Sequence, residues 1–150
     1  MGVDFGERRI GLAVSHGAVA VPLDTLERRT DRAAVGAIAA AVRRHGSAVL
    51  VVGEPRGLDG GRGEAAERAR RFGAKLARRT ALPVVFVDEA LTSVEAAERL
   101  GSAGVDLRRH RVRIDAVAAQ LLLQEALDRG LVAAAVVRHG LAEPPPETPT

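Results

Sequence analysis

The chain contains no cysteine, tryptophan or tyrosine, and its 150 residues include only three phenylalanines. The lack of cysteine excludes disulfides, thiolate nucleophiles and cysteine-ligated zinc or iron–sulfur sites, and it is typical of an intracellular protein. The scarcity of aromatic rings argues against a base-stacking platform for single-stranded nucleic acid. No apolar run approaches the roughly 20 residues of a membrane helix, and no signal peptide is recognised. We therefore expect an intracellular protein that does not enter a membrane.

Lysine is also nearly absent, since Lys75 is the only one and the other cationic side chains are arginines. This explains how a net charge of only +3 accompanies a pI of 10.8. Arginine binds phosphate through two parallel hydrogen bonds and stays charged at physiological pH. The abundance of alanine beside arginine is typical of a GC-rich genome, which accounts for most of the total arginine count. The local clustering of arginines is therefore more informative than their number.

The first fifteen residues predict a β-hairpin that carries a carboxylate on a buried strand. Asp4 lies in an apolar run, Gly6 and residues 7–9 form a turn, and a second apolar run follows over residues 10–14. A buried ionised carboxylate is costly and usually has a compensating partner, of which a metal ion is one example. The alternative, a turn-capping aspartate, is disfavoured by the apolar flanks.

The remainder of the chain alternates short apolar strands with helices. Proline at position 22 predicts an edge or a bulge in a third strand over residues 18–26. Further strands are predicted over residues 48–52 and 83–87, and helices over residues 30–44, 64–79, 92–100 and 115–128. A three-strand meander followed by α/β crossovers predicts an α/β fold with a mixed five-stranded sheet and helices on both faces. We expect one domain over residues 1–138 and a disordered, proline-rich tail over residues 139–150.

Three acids are predicted to lie where the sheet or its covering helix meets a loop: Asp4, Glu89 and Asp115. If the first strand is central, all three converge at one edge of the fold. Carboxylates bind hard divalent ions, and two such ions about 3.5–4 Å apart can activate water and stabilise the leaving oxygen in phosphodiester cleavage. The competing interpretation of Glu89 and Asp115 is an acid favoured by a helix N-terminus. Asp88 could also serve in place of Glu89.

The densest basic cluster comprises Arg108, Arg109, Arg111 and Arg113, in a predicted loop over residues 102–113 that leads to Asp115. Charge runs are usually solvated, but a position beside the acids favours contact with nucleic-acid phosphates. Arg56 and Arg62 in a glycine-rich loop are weaker candidates of the same kind. A stripe on the predicted helix over residues 64–79 is interpreted as a solvent face: Arg68, Arg70, Arg71, Arg78 and Arg79.

Four motifs, in order, resemble those of the YqgF family, also called RuvX. They are residues 2–15 (GVDFGERRIGLAVS), residues 51–55 with the later Asp59-Gly60, residues 88–93 (DEALTS) and residues 114–124 (IDAVAAQLLLQ). The resemblance extends to about Gly130, and the joint spacing is far more specific than any single motif. It implies an RNase H-like fold and a nuclease of the bacterial cytoplasm that depends on Mg²⁺ or Mn²⁺. Its acidic triad would be Asp4, Glu89 and Asp115.

The resemblance leaves three functions open. The first is maturation of the 5′ end of precursor 16S ribosomal RNA, which is the function we expect. The second is resolution of a four-way (Holliday) DNA junction in recombination, which would require a homodimer to place two sites symmetrically. The third is a non-catalytic nucleic-acid-binding module of ribosome assembly. An ATP-binding relative of the actin superfamily is disfavoured because the chain is too short for two domains.

The chain departs from the family pattern at three places. Ala90 replaces a usual arginine, which keeps the non-catalytic alternative open. Glu54 replaces a usual leucine, and we expect either a fourth metal ligand or a solvated loop acid. Only three residues precede Asp4, which indicates either a short central strand or a natural start upstream of Met1.

Overall fold

The computed structural model describes residues 1–55, 63–88 and 111–140, and for residues 111–113 only the helical backbone is described. The strands are β1 (Gly2–Phe5), β2 (Arg9–His16), β3 (Val19–Glu27), β4 (Leu50–Glu54) and β5 (Val84–Asp88). The helices of these ranges are α1 (Asp31–His45), α2 (Glu64–Thr80), α3 (Arg111–Asp128) and α4 (Leu131–Arg138). Within the same ranges, none of the helices has the length and apolar character needed to span a membrane.

The five strands form one sheet in the order β3-β2-β1-β4-β5. β1 pairs antiparallel with β2 and parallel with β4, and β4 pairs parallel with β5. This confirms the predicted mixed sheet, with the meander on one side and β1 at its centre. The carboxyl ends of β1, β4 and β5 therefore share one edge, which we call the carboxyl edge.

Helices cover both faces of the sheet, as predicted, and each face has its own core. The α1/α2 face is built around Phe72 and Leu76, packed with strand residues such as Val3, Leu12, Leu50 and Val52. The α3 face is built around Leu122 and Leu123, packed with Ala13, Ala20, Val51 and Val87. Because successive strand residues point to opposite faces, the face of each polar residue can be read from its apolar neighbours.

The turns and caps predicted for the first half of the chain are present. The Gly6 N–H donates to the carbonyl oxygen of Arg9 at 3.0 Å and closes the hairpin. Thr30 caps α1, where its hydroxyl accepts a hydrogen bond from the Ala33 N–H at 3.1 Å. Gly46 ends α1 with a φ of 63°, a conformation that glycine adopts without strain. Pro22 lies on the edge strand β3, opposite the register shift after Leu12.

Three boundaries differ from the prediction. β4 is shifted by two residues and includes Gly53 and Glu54, which were predicted to start a loop. α3 begins at Arg111, so residues 111–113 are helical and not part of a loop, since arginine is a good helix former. α4 was not predicted, because this short, largely apolar segment carries no clear polar face. The predicted helix over residues 92–100 and most of the predicted tail lie outside the described residues.

Candidate active site

Asp4 is the third residue of the central strand and is only 6% exposed. Its neighbour two positions earlier, Gly2, lies directly under α3, since a Cβ there would be 2.6 Å from the carbonyl oxygen of Ala119. Strand alternation therefore places Asp4 on the α3 face, at the carboxyl edge. The buried acid predicted on this strand is thus present, and the helix above it is the one that carries Asp115.

Gly11 is the cross-strand partner of Asp4 and brings Asp115 close to it. A Cβ at Gly11 would overlap with the Asp115 carbonyl group, so the backbone of α3 rests directly on β2 at this point. Neighbouring strands lie about 4.8 Å apart, and Asp115 is therefore above the strand next to Asp4. Asp4 and Asp115, which are far apart in the sequence, come close here because Gly11 has no side chain.

The Asp115 carboxylate is held by Arg9. The Arg9 Nε donates to Asp115 Oδ2 at 2.9 Å, and the two side chains are 37% and 24% exposed. Arg9 begins β2 and shares the alternation of Gly11, which directs it to the α3 face. Arg9 was not predicted as a site residue, because the charged run over residues 7–9 was assigned to the hairpin turn. The spacing of Arg9 and Gly11 along the strand was the signal that could have identified it.

The position of Asp115 within α3 bears on the competing interpretation of this acid. Asp115 is the fifth residue of the helix, and the first turn contains no acid. The favourable interaction of an acid with the helix macrodipole falls off within the first turn. The dipole therefore does not account for Asp115, whereas its contacts with Gly11 and Arg9 tie it to the surface beside Asp4.

Several predicted site residues cannot be placed in the same way. Glu89, Arg108 and Arg109 lie outside the described residues, and Arg111 and Arg113 are described only as backbone of α3. In the described ranges, no three side chains of the His, Cys, Asp and Glu types gather as a metal cluster. The structure thus places Asp4 and the backbone of Asp115 next to each other on one face of the sheet, while the metal-binding roles of all three acids stay predictions.

Asp88 does not share the face of Asp4. It continues the alternation of Val84 and Phe86, and both of these side chains pack against the α1/α2 core. Its register partner on β4 is Glu54, which follows the same alternation. Asp88 is therefore not placed to replace Glu89 as a partner of Asp4.

Glu54 differs from both of the expectations for it. It is only 6% exposed, so it is not a solvated loop acid. Arg70 of α2 donates from Nε to one carboxylate oxygen at 3.1 Å and from Nη2 to the other at 2.8 Å. This contact raises the pKa of the Arg70 guanidinium above its ordinary value. Since Glu54 faces α2 and Asp4 faces α3, Glu54 does not join Asp4 in a metal site.

Comparison with known proteins identifies the family of this chain. The T. thermophilus RuvC structure in complex with a Holliday junction substrate is 20% identical, with a TM-score of 0.47 and coverage of 96% of this chain and 97% of that one. A protein of Anaeromyxobacter sp. (strain Fw109-5) named "Putative pre-16S rRNA nuclease" is 42% identical over 85% of this chain and 95% of its own length. A protein of Moorella thermoacetica with the same name is 44% identical over 86% of this chain and 94% of its own length. The family model described as RuvX, Holliday junction resolvase, matches residues 1–129. The chain therefore belongs to the RuvX family, and it is a nuclease, a hydrolase of phosphodiester bonds, with an α/β fold built on a mixed five-stranded sheet.

Proposed function

We propose that this chain is a Mg²⁺- or Mn²⁺-dependent nuclease that matures the 5′ end of precursor 16S ribosomal RNA in the bacterial cytoplasm. The observation that carries the proposal is the contact of the Asp115 backbone with Gly11, the strand partner of Asp4. That contact places the backbone of Asp115 over the strand next to Asp4, at the carboxyl edge of the sheet. The choice of substrate is supported by the names of the relatives.

The residues present fit a hard divalent cation. Asp4 and Asp115 offer carboxylate oxygens, and Mg²⁺ is usually held by one or two carboxylates together with substrate phosphates. We propose Glu89 as the third ligand, because it directly follows Asp88 at the carboxyl end of β5. When bound, the ion would polarise a phosphoryl oxygen and make water a better nucleophile at neutral pH.

The protein's own side chains would orient the site and the substrate. Asp4 lies on the central strand of the sheet, which pairs with a neighbour on each side and so holds the backbone of Asp4 in place. Arg9 fixes the Asp115 carboxylate through Nε, which leaves its two Nη groups able to donate to a substrate phosphate. Arg108, Arg109, Arg111 and Arg113 are proposed as further phosphate contacts, because they immediately precede Asp115 in the chain.

Resolution of a four-way DNA junction is a second candidate, because the matching family is described as a Holliday junction resolvase. A junction would require a homodimer with two symmetric sites. The start of edge strand β3 is not free to form one by strand pairing. Gln124 and Gln120 of α3 bond to the N–H and the carbonyl oxygen of Ala20, and Pro22 has no N–H to donate. RNA trimming needs only one site and no dimer.

Cleavage of two labelled substrates, with and without Mg²⁺ or Mn²⁺, tests the proposal. The substrates are a 5′ segment of precursor 16S RNA and a four-way DNA junction. We expect metal-dependent cleavage of the RNA, and a loss of more than about 100-fold in Asp4→Asn and in Asp115→Asn, beyond the effect of removing an outer-shell group. Glu54→Gln is the matched control, since it neutralises an equally buried acid on the other face and should keep the activity.

Each other outcome overturns a defined part of the proposal. Cleavage of the junction alone would replace the RNA substrate with DNA. Equal cleavage by wild type and both Asn variants, or no cleavage of either substrate, would leave the non-catalytic nucleic-acid-binding module as the better account.

A further inference from the structure

A groove lined almost entirely by cations lies between α1 and α2, on the opposite side of the sheet from Asp4. Its volume is about 520 Å³. The described residues that line it are Arg32, Val35, Lys75, Arg78 and Arg79. Sequence analysis assigned Arg78 and Arg79 to a solvent face, and it did not single out Arg32 or Lys75.

The positive charge of the groove is only partly neutralised within the protein. Asp31 at the groove's edge accepts hydrogen bonds from Lys75 at 2.9 Å and from Arg28 at 3.0 Å, and these contacts lower the pKa of its carboxyl group. Arg32, Arg78 and Arg79 form no ion pair with a carboxylate in the part of the chain that the structure describes. Three like charges therefore face one cavity without a counter-charge of their own.

Helix electrostatics explain only part of this arrangement. Arg78 and Arg79 lie in the last turn of α2, where cations are stabilised by the negative end of the macrodipole. Arg32 is the second residue of α1, where the positive end of the macrodipole disfavours a cation. The presence of Arg32 in this groove therefore has no explanation in the stability of its own helix, whereas a bound anion would account for it.

We propose that this groove binds the phosphate backbone of the nucleic-acid substrate at a distance from the scissile bond. The proposal rests on the proposed nuclease function and extends it. Arginine recognises phosphate through paired hydrogen bonds, and the described lining contains no aromatic ring on which a base could stack. The contact would therefore be sequence-independent and would position the substrate. Since the groove and Asp4 lie on opposite sides of the sheet, the substrate must be a structured nucleic acid that bends around the molecule.

Binding measured in EDTA tests the groove separately from cleavage. The probe is the fluorescently labelled 5′ segment of precursor 16S RNA, titrated over a range of salt concentrations with the Arg32→Gln/Arg78→Gln/Arg79→Gln variant. We expect the slope of log Kd against log salt to decrease by about 2 to 3, with roughly tenfold weaker binding at low salt. A failure of cleavage would not change this readout, since no divalent ion is present.

A matched variant removes the same charge from the same two helices. Arg43→Gln/Arg44→Gln/Arg71→Gln replaces three arginines that are equally exposed, two of them in the last turn of α1. We expect its affinity and salt slope to stay at the wild-type values. Equal losses of affinity in the two variants would mean that only net charge matters. Wild-type affinity in the groove variant would mean that the groove does not bind the RNA. Either result overturns the proposal.

The single variant Arg32→Gln keeps the test decisive if the triple variant fails to fold. Removal of a cation from the first turn should not weaken α1. We expect the salt slope to decrease by about 1, as for one lost phosphate contact. An unchanged slope in a folded Arg32→Gln protein would also overturn the proposal.

Discussion

Asp4 and Glu54 are buried to the same degree, each 6% exposed, and they lie on opposite faces of the same sheet. On the α1/α2 face, Glu54 receives two hydrogen bonds from Arg70 and forms a local ion pair. On the α3 face, Asp4 lies beside a second acid, Asp115, which the backbone contact at Gly11 brings to it. On the α1/α2 face an arginine binds both oxygens of the buried acid, whereas on the α3 face Arg9 binds Asp115, the acid next to the buried one.

Burial alone therefore does not identify a functional carboxylate. A buried acid that is bound by arginine at both oxygens has its desolvation cost offset inside the protein. Two acids held together by a glycine contact gain nothing in stability from each other, because like charges repel. The proposed metal ion, which both carboxylates could bind, would offset this repulsion.

The largest expected effect comes from adding a side chain at Gly11. In Gly11→Ala the new methyl group would collide with the Asp115 backbone, so α3 must move away from the sheet. We expect a loss of about 3 kcal/mol in the free energy of unfolding, or a decrease in Tm of roughly 6–12 °C. Nuclease activity should be lost even at temperatures where the variant is folded. Thermal melting measures the stability, and a cleavage assay measures the activity.

The matched control is Gly36→Ala in α1. A Cβ at Gly36 would have no atom within 4 Å, so alanine should stabilise the helix by about 0.5–1 kcal/mol. Full activity of a folded Gly11→Ala protein would contradict the view that this contact sets the distance between the two acids.

The fold and the two acids Asp4 and Asp115 could be predicted because their signals are local. The turn at Gly6, the Thr30 cap and the apolar runs each determine structure within a few residues, and together they predict the mixed five-stranded sheet with helices on both faces. Asp4 was identifiable because one acid interrupts an apolar run. Asp115 was identifiable as an acid at the predicted start of the last long helix, and the family motifs gave the same residue. The structure places its backbone over the strand next to Asp4.

The contacts that distinguish the two faces could not be predicted, because they join residues that are distant in the chain. Arg9 and Asp115 are separated by 106 positions, and no sequence period links them. Glu54 follows an apolar run that is buried on both sides, so alternation gave no sign of its face. Its partner Arg70 was one of several similar arginines on α2. Only the packing of α2 on the sheet determines which arginine reaches the buried acid.

A buried α-amino group, in addition to the buried acids Asp4 and Glu54, makes stability depend on pH. The α-amino group of Met1 donates to the Val49 carbonyl oxygen at 2.8 Å, and burial lowers its pKa from 8.0 to about 6. Between pH 6 and 8 the unfolded chain therefore binds more protons than the folded chain, so stability should rise with pH over this window. The expected gain approaches about 2–3 kcal/mol and is measured by urea unfolding at pH 6 and pH 8.

Acetylation of the α-amino group removes its charge and so isolates this effect from the pH dependence of the rest of the protein. The acetylated chain should lose the part of the pH dependence that belongs to Met1. If both forms gain the same stability between pH 6 and 8, burial of the amine is not its source.

The ion pair of Glu54 provides a smaller effect that involves stability without catalysis. In Glu54→Gln one charged partner of Arg70 is lost from a site where the arginine is 41% exposed. We expect a loss of about 1–2 kcal/mol in the free energy of unfolding, with full nuclease activity of the folded protein. A double-mutant cycle with Arg70→Gln measures the coupling directly. Zero coupling, or a loss of activity as large as in Asp4→Asn, would remove the distinction between the two faces.

The smallest expected effect is at Arg9, where an arginine and the proposed metal ion would both bind the same carboxylate. Arg9 is the cation that holds Asp115, and it would compete with a metal ion for that carboxylate. In Arg9→Gln this competition is removed, and because the pair is partly exposed its free energy is about 0.2–1 kcal/mol. We expect Mn²⁺ to bind up to roughly fivefold more tightly, as measured by electron paramagnetic resonance of the free ion. Cleavage should nevertheless slow, because Asp115 and the substrate phosphate lose the side chain that positions them.

The control variant is Arg9→Lys, which keeps the charge and should retain the wild-type metal affinity. Weaker Mn²⁺ binding in Arg9→Gln would mean that the arginine and the metal act on Asp115 together and do not exclude each other.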